Sequence, residues 1–234
     1  MILTEIYQAL IYIIFSLLSP IITSGGGLLV SNALTFTGVS LIVAAGMTST
    51  YFLVNGLIVV GTFWKDIVWY EVRKILPLAS LGSILGALFL TQISPVILLT
   101  FMLYFALSFL YEGVFNQKKI KKETKLSVWF MSLLSGFLAG TILPGGGLRN
   151  SYLLARGHTI PEVHGTTNFI GVICWSLKIV LLFEASVLSG ENFKAILIAV
   201  PFLFISNFLL RKKLLQLPKA LSLKISIFAM ALFS

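Results

Sequence analysis

The chain of 234 residues is 58% hydrophobic and only 11% charged, with 17 Lys and Arg against 8 Asp and Glu and a net charge of +9. Soluble domains carry about 25% charged residues, so this chain cannot clothe a water-facing surface, and a mean hydropathy of +1.01 makes lipid its solvent. A soluble enzyme or a nucleic-acid-binding domain is thereby excluded. The basic excess is assigned instead to cytoplasmic loops, where membrane proteins retain Lys and Arg.

In chain order, apolar runs occupy 6–22, 39–63, 75–93, 96–115, 126–143, 163–183, 195–210 and 220–234, with no Asp or Glu in their central regions. A spanning helix needs about 20 apolar residues; the fold class is therefore an all-α polytopic membrane protein. The first run lacks a basic leader and reads as a mature segment. Gly25, Gly26 and Gly27 precede the ten-residue stretch 28–37, and Gly145, Gly146 and Gly147 precede 148–157. Ten residues of helix span about 15 Å, half a bilayer, which predicts re-entrant or broken-helix hairpins. Such backbone is tolerated at membrane depth only inside protein or beside a wet cavity. Gly82 and Gly86 form a Gly-x-x-x-Gly pattern that predicts close helix packing. Trp64, Trp69, Tyr70 and Trp129 stand near run ends, as interfacial aromatics do. Cys174 is the lone cysteine, so no disulfide forms within the chain.

The sequence repeats itself. The two Gly triplets are related by a shift of 120, while Gly38 and Gly157, and Gly46-Met47-Thr48-Ser49 and Gly165-Thr166-Thr167-Asn168, are related by 119. This divides the chain into a first membrane repeat, 1–115, a basic linker, 116–125, and a second repeat, 126–234. The linker holds five lysines and is the strongest cytoplasmic anchor. Loop charge inverts between halves. Lys65, Arg73 and Lys74 follow the second long run of the first half, whereas the equivalent loop 184–194 of the second holds one Lys and two Glu. The next loops reverse the contrast: 91–95 is uncharged, and Arg211, Lys212, Lys213 and Lys219 follow in the second half. Inverted repeats are predicted, each with a Gly-triplet hairpin that enters and leaves on one side plus three transmembrane helices.

The Gly triplets are the first candidates for function. Successive glycines let backbone N–H groups converge, and the start of a helix adds its positive dipole end, so an anion is held without a cationic side chain; close packing is the alternative. Thr48, Ser49 and Thr50, with Thr166, Thr167 and Asn168, are uncharged donors within apolar runs, either lining a path or back-bonded to their own helix. Arg149 and Arg156 replace Leu29 and Phe36 of the first half; Arg149 either attracts an anion or snorkels to the surface. Lys178, six residues before Glu184, invites the same two readings. His158 and His164 flank Pro161 and are read as proton carriers or polar surface.

These features resemble the sulfite exporter TauE/SafE family, also called TSUP anion permeases. The resemblance rests on the duplicated pattern of Gly triplet, half-length apolar segment, Gly and Gly-x-Thr cluster at 25–50 and 145–168, and on Lys65-Asp66-Ile67-Val68-Trp69 followed by Gly82 and Gly86. The chain departs from it at Ser31 and Ser151, where members commonly have Pro, and at Met47, where Thr is usual. The resemblance implies export of small sulfur-containing or organic anions across the prokaryotic cytoplasmic membrane, with the Gly loops and Thr clusters lining the substrate. A midplane site between the two hairpins and alternating access are expected. No cofactor or metal is expected, since mid-membrane carboxylates are absent. No enzyme motif pairs a nucleophile with a base. A non-transporting membrane subunit or chaperone is the alternative, with an intramembrane enzyme behind it, and homo-oligomerisation is left open.

Overall fold

The computed structural model describes residues 2–18, 26–94, 96–97, 100, 125–141 and 145–210. The apolar run 220–234, most of 96–115 and the basic linker through residue 124 lie outside the described residues. Among the described residues all regular structure is helical: α1 (Ile2–Leu18), α2 (Gly26–Thr35), α3 (Leu41–Thr62), α4 (Trp69–Gln92), α5 (Lys125–Gly140), α6 (Gly145–Ala155), α7 (Ile160–Glu184) and α8 (Lys194–Ile205). Of these, α3, α4 and α7 are long and apolar enough to cross a membrane.

Local chemistry sets the boundaries. Ser40 caps α3, its hydroxyl accepting from the Val43 N–H at 3.4 Å. At the start of α7 the Glu162 carboxylate accepts from both the Thr159 N–H, at 2.7 Å, and its hydroxyl, at 2.8 Å; a cap of this kind is worth about 1 kcal/mol. The short helices begin within the Gly triplets rather than after them, two or three residues earlier than the sequence suggests. Beyond them Gly38 and Gly157 take matching φ values of +84° and +85°, the left-handed turn that ends a helix and that favours glycine.

The packing has a definite sense. Gly46 lies against Leu188, Gly56 against Val172 and Trp175, and Gly165 against Phe63, so α3 and α7 run antiparallel. Gly136 lies against the Ala79 backbone and Gly140 against Ser83, so α4 and α5 run parallel. The far end of α6 returns to the start of α4, where Tyr152 meets Glu71, while its Gly145 packs on Ser135 near the end of α5. Helices α5 and α6 thus form a hairpin that opens where α4 begins. In the first half Gln8 of α1 reaches Thr37, just beyond α2, at 3.4 Å. The α1–α2 pair is likewise a hairpin, opening beside the start of α3.

Pairing crosses between halves: α1 packs on α8, α4 on α5, α3 on α7, α3 on α8 and α4 on α7. One buried cluster joins Tyr12, Leu34, Met47, Tyr51, Leu182 and Leu203. The other gathers Ile75, Ala79, Leu153, Ile170 and Cys174 around α4, α6 and α7.

Candidate functional site: a buried arginine at the second Gly triplet

Gly145, Gly146 and Gly147 form the first turn of α6, whose leading N–H groups have no acceptor within the helix. Long helical side chains lean back toward the N-terminus of their own helix, and Arg149 does so. A methyl built on Gly146 would stand 3.9 Å from Arg149 Nη2 and 3.7 Å from Thr167 Cγ2. The guanidinium, the glycine turn and Thr167 therefore converge. Arg149 Nη1 lies 4.0 Å from Cys174 Sγ, and Cys174 sits at the level where α7 crosses Gly56 of α3. Arg149 is 1% exposed, which rules out snorkelling: the side chain is enclosed by α6 and α7. No carboxylate of the described residues approaches it, and its Nε has no hydrogen-bond partner; Thr167 Oγ1 and Asn150 Oδ1 are likewise buried without one.

Lys178 does not snorkel either. It is 1% exposed, and its ammonium donates to the Thr141 carbonyl beyond the end of α5. A carbonyl that has run out of helix is a natural acceptor for a cation. The buried stripe of α7 is Thr167, Ile170, Gly171, Cys174, Lys178 and Leu182, a helical spacing that puts Thr167, Cys174 and Lys178 on one face.

The other candidates divide. Ser49 and Thr50 bond back to Ala45 and Gly46 carbonyls at 2.8 and 3.1 Å, and the Asn168 amide donates to the His164 carbonyl at 2.8 Å. These three brace their own helices. Thr166 accepts from the Val68 N–H at 2.9 Å and ties α7 to the approach to α4. Thr48 bonds Ser31 of α2 at 3.0 Å, and the same Ser31 hydroxyl lies 2.9 Å from the Gly27 carbonyl. Thr48, Ser31 and the Gly27 carbonyl thus satisfy one another, whereas Thr167 has no hydrogen-bond partner among the described residues. Gly26 and Gly27 open α2, with buried Leu29 in place of the arginine; Gly25 lies outside the described residues. Thr48 and Thr167 fall on opposite sides of the α3–α7 crossing, so they do not face each other. His164 stacks on Phe63, with ring centroids 6.2 Å apart.

Sequence reasoning missed Glu71, 1% exposed in the first turn of α4, with Arg156 Nε at 2.9 Å, the Tyr152 hydroxyl at 3.2 Å and His158 Nε2 at 3.7 Å. In the sequence it is one more charged residue of the basic loop between the runs 39–63 and 75–93, beside Asp66, Arg73 and Lys74. The profile of the family described as Sulfite exporter TauE/SafE matches residues 8–234. The chain belongs to that family. Comparison with curated proteins and with solved structures gave no match. Membership of the sulfite exporter family implies a membrane protein that moves anions, and the apolar helices agree with it.

Proposed function

We propose that this chain carries small oxyanions, sulfite and related sulfur anions among them, out across the cytoplasmic membrane, binding them between Arg149, the first turn of α6 and Thr167. The observation that carries the reading is a fully buried arginine with, among the described residues, no carboxylate beside it and an unused donor. An uncompensated buried charge costs several kcal/mol, and an anion would supply both the counter-charge and the missing acceptor. The helix start adds its positive end at the same point. Lys178 stands on the same face of α7 as a second cation, holding the hairpin tip until an anion competes for it.

The antiparallel α3 and α7, with hairpins that open beside the start of each, support two inverted membrane repeats, 1–115 and 126–234, joined by the basic linker 116–125. Alternating access would then rock one half against the other.

Counterflow in proteoliposomes against sulfite, thiosulfate, methanesulfonate and acetate tests the class of substrate. Arg149→Gln should abolish the rise in melting temperature that the transported anion induces, since affinity sets that rise by mass action. Losing a charged hydrogen bond weakens binding by about 10- to 150-fold. An undiminished rise in Arg149→Gln would remove Arg149 from the site.

A further inference from the structure

The Glu71 cluster lies outside the anion site, yet it is attached to the same half-helix. Helix α6 carries Gly146 and Arg149 at one end. At its other end Tyr152 and Arg156 hold Glu71 of α4, and His158 follows the Gly157 turn. His158 also places Nδ1 3.8 Å from Glu162, so its ring stands between two carboxylates on two different helices. Arg156 lies over the Tyr152 ring at 5.7 Å. Glu71 is 1% exposed on its side chain while Arg156 is 31% exposed. The carboxylate is thus sealed by the very groups that the half-helix brings to it. Lys65, Arg73 and Lys74 flank this end, and α5 begins here at Lys125. By the retention of basic residues inside, this is the cytoplasmic end.

We propose that Glu71 is a positioning residue: it latches the Arg149-bearing half-helix shut at the cytoplasmic end, and release of its pair with Arg156 admits that side to the site. The inference rests on the anion reading for what is admitted, but not for the latch itself. The geometry favours a latch over a permanent brace because its holding groups sit on a one-sided hairpin of short helices. The other end of α6 is held by Gly145 packed on Ser135 of α5 and by Arg149 beside Cys174 of α7. Swinging α6 away from α4 breaks the contacts of one carboxylate and uncovers Cys174, which is 0% exposed beneath Arg149.

The single native cysteine is therefore the reporter. Labelling of Cys174 by a small, charged, membrane-impermeant methanethiosulfonate is followed in inside-out and right-side-out vesicles without added substrate. Arg156→Gln, at a partly exposed position, should speed labelling from the cytoplasmic side by about tenfold or more, the factor expected when one charged hydrogen bond no longer opposes opening. Glu71→Gln should do the same, and Arg156→Lys, which keeps the charge, should restore most of the slow rate. Parent-like labelling in both Gln variants, with unchanged melting temperature, overturns the latch, as does acceleration from the outside alone. A variant that melts early is set aside for the other, since Arg156 and Glu71 report on the same pair. If labelling responds while Arg149→Gln still binds anion normally, the latch stands and the anion assignment falls.

Discussion

Arg149 and Leu29 occupy equivalent places in the two halves, and the substitution of a cation for an aliphatic side chain is what makes the second hairpin chemically distinct. Around it, Gly146 and Thr167 allow a test that separates binding from stability. A methyl on Gly146 meets its neighbours at 3.7 Å and beyond, ordinary contact, and in the first turn of a helix glycine costs little relative to alanine. Gly146→Ala should therefore leave the melting temperature of the ligand-free protein unchanged. It should also shrink the anion-induced shift, because the methyl takes up space beside the guanidinium. Thr167→Val removes a hydroxyl that has no hydrogen-bond partner among the described residues and should follow the same pattern, whereas Thr50→Val, which loses only a back-bond, should keep the full shift. Full shifts in both Gly146→Ala and Thr167→Val would return them to packing. The sequence made these residues visible because they recur at fixed spacing in both halves. It did not reveal that Ser49, Thr50 and Asn168 are back-bonded, because one polar residue in three or four faces any given side of a helix and the facing partner is a tertiary fact. Lys178 was ambiguous for the same reason: its nearness to Glu184 in sequence suggested the surface, while its face of α7 points it at Thr141.

At the scale of elements, the α4–α5 contact depends on four glycines. Gly82 and Gly86 on one helix and Gly136 and Gly140 on the other each place their Cα against the neighbour's backbone, leaving no room for a methyl. In lipid the hydrophobic effect does not drive helices together, so the close approach of small residues does so through packing. Gly136→Ala would drive its new methyl into the Ala79 backbone. Overpacking of this kind costs about 1–3 kcal/mol, and the melting temperature in detergent should fall. Gly61→Ala, where nothing lies within 4 Å, should not lower it. The first glycine pair was legible as a packing motif. Its complement on α5 is the same motif, recognisable only once the two helices are known to run side by side and parallel. The short helices were legible in length, but their starts were placed late. Glycine breaks helices in the interior by its entropy, yet at a first turn it costs little and allows the close contact that Gly145 makes with Ser135.

At the scale of the whole molecule, the orientation of the ends is open to a direct measurement. A cysteine at Ser189, in the turn after α7, should react with an impermeant thiol reagent added outside intact cells, and one at Lys65, before α4, should be shielded. Labelling at 65 with silence at 189 would reverse the molecule in the membrane. Loop charge is the ground for this expected orientation. It could not reveal which helices touch, because pairing between halves leaves no mark on hydropathy.

That pairing has a consequence for how the protein is made. Because α1 lies on α8 and α4 on α5, these two helices of the first half take their main partners, among the described residues, from the second. A ribosome that has finished the first half has threaded α1 and α4 into lipid with their partners still unsynthesised. The nascent half must wait, exposed to quality-control proteases, until the second arrives. A gene cut within 116–125 should therefore give two polypeptides that are each degraded when expressed alone and that both survive, co-purify and regain transport when co-expressed. Pulse-chase of the separate and paired fragments reads the outcome, and equal lifetimes alone and together would mean that each half folds by itself.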